Sequence, residues 1–370
     1  MGFIPNIQKS AGSKTARREF LKTTLLGIGA GAVLLGTDRI SKAMTLPNQN
    51  TGIAGQKLLP PDMVTAPKLI LKDAVEPNLF YNKNTRLYEM AYRYTEKGKP
   101  PIGYEQIGYA SSKDGETWVK QKTPALKTAD GVVTPYVFEK DGTNYMLVKN
   151  NKDRAVYLYQ SDDKKSWKPA GNEPVILPSS DEKAFDYDIW TPAVVFDRNK
   201  AYFYYEAKGV GTGTQPRIGV ATADWKNGRF TNVKKSTTPL LSEGETYFGA
   251  FGVGNPHSAL YVPERNAYML FLGGVKSSQS LGPNYWTIGV MHADLGSDLT
   301  AHDSWKNSAY YLVDDANRHS AGPSVLVKPD GKMAIAYTHD PHIKNNDYWE
   351  IMSLNVDKTP VQFYDLISGK

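Results

Sequence analysis

From residue 76 onward the chain repeats one pattern: a proline, a short apolar strand, a tight polar turn and a second strand rich in aromatic residues. It appears as EPNLFYNKNTRLYEMAYRY (76–94), TPYVFEKDGTNYMLVKN (134–150), TPAVVFDRNKAYFYYEAK (191–208), NPHSALYVPERNAYMLFLGG (255–274) and GPSVLVKPDGKMAIAYTHD (322–340). Asp141-Gly142 and Asp330-Gly331 stand between the strands, as hairpin turns require. A second motif follows each copy: IGYASSKDGETWVK (107–120), QSDDKKSWKPAG (160–171), ATADWKNGRFTNV (221–233), MHADLGSDLTAHDSWKN (291–307) and SLNVDKTPVQFYD (353–365). Asp114, Asp163, Asp224, Asp294 and Asp357 head these turns, and Trp118, Trp167, Phe230, Trp305 and Phe363 follow them.

Together the two halves read strand A, tight turn, strand B, loop, strand C, aspartate turn, strand D. Five copies at intervals of 49 to 70 residues are the mark of four-stranded propeller blades with variable loops. No segment carries the 3.6-residue periodicity of a useful amphipathic helix. The expected fold is therefore all-β, a five-bladed β-propeller over residues 67–370. The turn aspartates are expected to bond their own backbone amides, and the aromatic residues after them to pack between blades.

Composition narrows the chemistry. The chain has no cysteine, which excludes disulfides, thiolate metal sites and a cysteine nucleophile. Residues 1–43 read as a twin-arginine export signal: ARREFLK at 16–22, an uncharged glycine-rich run from Thr23 to Thr37, then Ser41-Lys42-Ala43. That run is shorter than the ~20 residues that span a bilayer, so no stable membrane insertion is expected after cleavage. The reading implies the twin-arginine export machinery as a partner and a periplasmic or secreted destination. Residues 44–66, rich in Pro, Gly, Asn and Gln, read as a linker or a wrapping strand. The leader holds seven Lys and Arg against Glu19 and Asp38, so it carries five of the six net positive charges. The remaining chain is close to neutral, and bulk charge gives no support to a nucleic-acid partner.

In a propeller the starts of strands A and the ends of strands B ring one mouth of the central channel. Immediately before the five prolines lie Glu76, Thr134, Thr191, Asn255 and Gly322, and three residues further back lie Asp73, Gly131, Asp188, Gly252 and His319. The ends of strands B hold Arg93, Lys149, Glu206, Gly273 and His339, and the third repeat adds Asp186 and Trp190 in FDYDIWTP. Carboxylates for hydroxyls and an indole face for stacking suit a sugar. Glycoside hydrolysis needs two carboxyl groups roughly 5–10 Å apart, and Glu76 with Asp188, on non-adjacent repeats, answers that need. No nucleophile-elbow serine motif and no glycine-rich phosphate loop opening a helix occurs.

These segments resemble the five-bladed propeller glycosidases of glycoside hydrolase families 43, 32 and 68 over roughly residues 75–360. The resemblance implies an exported glycoside hydrolase acting on a poly- or oligosaccharide. In EPNLFYNKNTRLYEMAYRY, the acid before the proline takes the role of base or nucleophile, which falls on Glu76; the family usually has aspartate there. FDYDIWTPAVVFDRNKAYFYYEAK resembles the segment with a second, substrate-orienting acid, which falls on Asp188 with Asp186 as substitute. The family's general acid is a glutamate two residues before the fourth proline, where this chain has Gly254, and Glu206, Glu245 or His257 could stand in. His339 resembles a last-blade histidine that faces a structural calcium, and no other cofactor is implied. Two alternatives stay open: a non-catalytic glycan-binding propeller, and a fructosyl-transferring or phosphorolytic relative using Arg93 and Lys149 as an anion site.

Overall fold

The computed structural model describes residues 57–95, 103–210, 215–246, 252–275, 286–313, 319–340 and 349–370. The export segment 1–43 and most of the linker 44–66 lie outside the described residues. Two strands, β1 (Lys57–Leu58) and β2 (Lys68–Lys72), precede the repeats. Blade 1 is β3 (Val75–Asn82), β4 (Leu87–Thr95), β5 (Glu105–Ser112) and β6 (Val119–Lys120). Blade 2 is β7 (Val132–Lys140), β8 (Thr143–Asn150), β9 (Val156–Ser161) and β10 (Lys168–Pro169). Blade 3 is β11 (Asp188–Asp197), β12 (Lys200–Lys208), β13 (Arg217–Lys226) and β14 (Arg229–Lys235). Blade 4 is β15 (Val253–Val262), β16 (Ala267–Val275), β17 (Trp286–Asp294) and β18 (Lys306–Val313). Blade 5 contains β19 (His319–Val327), β20 (Met333–Asp340) and β21 (Glu350–Val356). The five sheets make a five-bladed β-propeller.

The blade cores explain the unbroken apolar runs of the B strands. Successive side chains on a strand point to opposite faces, and here both faces are covered by a neighbouring blade. Phe203 and Tyr205 on β12 join the core shared with blade 2, whereas Tyr202 and Tyr204 join the core shared with blade 4. On β16, Tyr268 and Leu270 face blade 3 while Met269 and Phe271 face blade 5. The aromatic residues after the aspartate turns belong to these seams: Trp118, Trp167, Phe230 and Trp305 each pack in a different one.

The first two aspartate turns close on themselves. Asp114 Oδ1 accepts the Glu116 and Thr117 amides at 2.8 Å each, and the Trp118 indole donates to Gly115 O at 3.0 Å. Asp163 does the same for the Lys165 and Ser166 amides. The later copies tie elements together instead. Asp224 accepts from the Asn232 side chain, Asp294 from Tyr364 and Lys306, and Asp357 pairs with Lys332.

The fifth copy departs from the expected repeat. SLNVDKTPVQFYD does not supply a strand D: after β21 the chain forms helix α1 (Pro360–Ser368). Thr359 and Gln362 form a reciprocal capping box, Pro360 sits at the first helical position, and Gly369 closes the end with φ 72°. Phe363, Tyr364 and Ile367 bury against the blade 4–blade 5 core, so Phe363 keeps its inter-blade role on a helix. The outer strand of blade 5 is β2, antiparallel to β21 with Lys68 opposite Ser353 and Lys72 opposite Glu350. The ring is thus closed by a strand from the start of the domain. Within residues 57–66, β1 adds to the outer edge of blade 4, parallel to β18.

Closure by β2 yields a stability contrast. Leu71 is 6% exposed in the blade 5–blade 1 core, and Leu69 on the same strand is 42% exposed. Leu71→Ala is expected to lower the unfolding free energy by about 2–5 kcal/mol, with Leu69→Ala costing less than about 1 kcal/mol. Denaturant titration of both variants checks this; equal losses would mean that β2 does not seal the ring.

Candidate active site

The five inner strands begin alike. Each slips register with its B strand across the proline, between Val75 and Asn78, Val133 and Tyr136, Trp190 and Ala193, Gly254 and Ser258, and Ala321 and Ser324. Glu76, Thr134, Asn255 and Gly322, each directly before its proline, have φ of 53°, 55°, 49° and 61°. A left-handed conformation is costly for residues other than glycine, and a proline makes the right-handed helical region unfavourable for its predecessor. These bulges aim the pre-proline groups at the channel mouth.

Three acids predicted from sequence meet there, each beside a cation. Glu76, 8% exposed, has Oε2 3.1 Å from Arg93 Nε. The two are close enough for an ion pair, but Arg93 Nε makes no in-line hydrogen bond. The same Glu76 oxygen accepts the Thr134 amide at 2.8 Å, and the Glu76 amide donates to Thr338 Oγ1 at 2.7 Å. Asp188 Oδ1 lies 2.6 Å from Lys149 Nζ, and its other oxygen accepts the Trp190 indole N–H. Lys149 Nζ stands 3.4 Å from the centroid of the Trp190 ring, a cation–π contact in a desolvated place. Glu206 Oε1 pairs with Lys208 Nζ at 2.6 Å, and Oε2 accepts the Asn255 amide at 2.8 Å.

These charges act on one another across the mouth. Burial acts to lower the Lys208 pKa, but Glu206, then Asp188 and Glu76, outweigh it and raise it. Burial dominates at Lys149 and brings its ammonium down to about 8 against the pull of Asp188. Below the mouth, His257 is fully buried, with Nε2 3.0 Å from Pro135 O and Nδ1 3.4 Å from Gly322 O. One imidazole thereby links blade 4 to blades 2 and 5 across the channel. Burial lowers its pKa, opposed by Glu76.

Gly254 shows how the cluster is completed. A Cβ on Gly254 would lie 2.4 Å from Glu206 Oε2 and 3.0 Å from the Trp286 ring. The blade 4 position where the sequence resemblance expects a glutamate is therefore filled from blade 3 by the Glu206 carboxylate. Glycine at 254 is what leaves room for it.

Other predicted residues lie elsewhere. Asp186 is buried and held by Ser179 Oγ and Lys235 Nζ, both at 2.5 Å. Asp73 sits in an exposed bend between β2 and β3, near Lys120. Glu245 binds the Ser242 amide and faces His302. His319 has its ring 5.6 Å from Trp286 and 5.3 Å from Trp349, forming an aromatic wall near Glu206. His339 is buried on β20, opposite Ser320 and Glu350. The described residues bring no three His, Asp or Glu side chains together as a metal-ligating group. Lys208, Trp286 and Thr338 were not foreseen as site residues, although Lys208 follows Glu206 by two and so shares its face of the strand.

No family model matches the sequence, and no curated protein matches it significantly. Solved structures do match in fold. An α-L-arabinofuranosidase from Lactobacillus brevis superposes with a TM-score of 0.56 at 12% identity, covering 77% of this chain and 91% of its own. An endo-arabinase from Bacteroides thetaiotaomicron gives 0.55 at 12% identity, covering 77% and 96%. A structure described under the GH130 family of mannoside phosphorylases, which contains glycoside hydrolases that target β-1,2-mannosidic linkages in Candida mannan, gives 0.55 at 15% identity, covering 85% and 93%. The fold is that of the five-bladed propeller glycoside hydrolases.

The buried lysine gives the site a pH signature. Unfolded lysine titrates near 10.5 and Lys149 near 8, so between these values the unfolded chain holds the proton that the folded protein has released. Its contribution to stability is highest above about 10.5 and is lost as pH falls through 8. Urea unfolding of wild type and Lys149→Met across that window is expected to show a rise with pH that the variant lacks. Parallel pH profiles would refute the shift.

Proposed function

We propose that the protein is an exported glycoside hydrolase that cleaves a poly- or oligosaccharide at the channel mouth. The observation that carries this reading is at Gly254: that blade 4 position is glycine, and the Glu206 carboxylate from blade 3 lies where a side chain there would start. Glu76 acts as base or nucleophile, held by the Thr134 amide and by Arg93. Asp188, locked by Lys149 and Trp190, orients the sugar. As substrate enters, the pair between Glu206 and Lys208 opens, Glu206 takes up a proton from solvent, and it then delivers that proton to the leaving oxygen. Lys208 then stabilises the carboxylate left behind. Export through the twin-arginine machinery belongs to the same reading, with the leader 1–43 as its basis.

A second reading, phosphorolysis, is favoured by one observation. Arg93, Lys149 and Lys208 converge on the mouth, a set of cations that an incoming anion would engage. Turnover that requires inorganic phosphate would select this reading over hydrolysis.

Leaving-group dependence tests the assignments. Glu76→Gln is expected to lower turnover of oligosaccharides and of activated aryl glycosides alike, by about 10²–10⁴-fold, while sugar binding stays within about tenfold. Glu206→Gln is expected to lose a similar factor on oligosaccharides and much less on aryl glycosides, whose leaving groups need no proton. Unchanged turnover in Glu76→Gln removes it from the mechanism, and parallel losses on both substrates remove the proton-donor role from Glu206. Glycan retention without cleavage of any substrate would overturn the hydrolase in favour of a binder.

A further inference from the structure

We propose that a groove between blades 1 and 2 is a second sugar-binding subsite, which holds the substrate chain beyond the residue being cleaved. The proposal rests on the hydrolase reading above and extends it from the bond to the polymer. The groove is a cavity of about 750 Å³, inside the roughly 300–1,000 Å³ range of ligand clefts. Its walls come from the start of β5, the loop before β7 and the residues just after β8. All three lie on the face where the inner strands begin, the face that holds Glu76, Asp188 and Glu206.

The groove adjoins the charged cluster. Asn151 follows Lys149 by two residues, roughly 7 Å of extended chain, and Gln106 pairs in register with Tyr94, the neighbour of Arg93. A chain leaving the mouth past Arg93 and Lys149 enters this groove.

Its lining has the chemistry of a sugar site. Tyr104 is 45% exposed at the rim, and its ring offers a surface for the C–H face of a pyranose or furanose. Asn151 and Lys152 bring donors and Asp130, 3.7 Å from Lys152 Nζ, brings acceptors, the mixture that a polyhydroxylated ligand requires. The Thr128 hydroxyl, also in the lining, is buried without a hydrogen-bond partner. The walls are fixed from behind by the buried carboxylate of Glu105. It accepts the Gly103 amide at 2.7 Å and the Asn151 side-chain amide at 3.0 Å, tying blade 1 to blade 2. Neither Tyr104 nor Asp130 belongs to a blade core, so both can be changed without removing core packing.

Chain-length kinetics of wild type, Tyr104→Ala, Tyr104→Phe and Asp130→Ala test the groove. The probes are para-nitrophenyl arabinofuranoside, xyloside and mannoside, and the matching oligosaccharides of increasing length. In wild type, kcat/KM is expected to rise with length. Tyr104→Ala is expected to lose about tenfold of that rise, the size of one aromatic contact, with Asp130→Ala losing part of it, Tyr104→Phe retaining it, and para-nitrophenyl turnover unchanged throughout. A length gain untouched by Tyr104→Ala, or a parallel loss on the para-nitrophenyl glycosides, would overturn the subsite while leaving the hydrolase reading intact. If no glycoside is cleaved, affinity electrophoresis in arabinan, xylan and mannan gels decides the groove separately. Retardation that Tyr104→Ala abolishes upholds it, and migration equal in the two proteins sinks it.

Discussion

The structure depends on a backbone constraint repeated at the top of each inner strand. The residue before the blade proline opens a bulge in the ladder, and where its φ is positive its amide is turned out of the sheet. Two of those amides are taken by acids from the preceding blade: Thr134 N–H by Glu76 and Asn255 N–H by Glu206. The strained turns therefore do more than shape the rim. They hold the acids of one blade against the next, so that blade packing and placement of the site are a single event.

Charge balance follows from that placement. Three carboxylates crowded at a low-dielectric mouth would repel one another, and the fold answers with Arg93, Lys149 and Lys208, each adjacent to one of them. Lys149 is the most deeply committed, at 2% exposure and squeezed between Asp188 and the Trp190 ring. Removing one member leaves a buried partner uncompensated, which is costlier than the pair is worth. The cluster is thus interlocked, and a substrate enters by exchanging protein–protein polar contacts for its own. His257 beneath it closes the axis by reaching two carbonyls from different blades.

Where the repeat was regular, the sequence made the architecture legible. Blades 1 to 4 run strand by strand as the proline and aspartate motifs indicate, and Trp118, Trp167, Phe230 and Trp305 pack between blades as their hydrophobicity implies. The fifth copy misled because it keeps the aspartate and the aromatic residue while changing the element between them. Thr359, Pro360 and Gln362 did carry a helix-start signature, short enough to pass beneath a search for long periodic helices. The swap of β2 into blade 5 left no local mark, since pairing across almost the whole domain has no sequence spacing of its own.

By itself the sequence determined five repeats, two-faced apolar strands and a set of acids and cations at strand ends. Those follow from periodicity and turn chemistry, which act over a few residues. Only the tertiary structure decided which of the acids meet. Glu76, Asp188 and Glu206 converge through bulges on blades 1 and 3, while Asp186, two residues from Asp188, is drawn away to Ser179 and Lys235. It also decided that Glu206 lies where blade 4 has Gly254, because a carboxylate from one blade and an empty Cβ position on another share one volume. Such sharing depends on distances between residues far apart in the chain, and a linear order of side chains does not contain them.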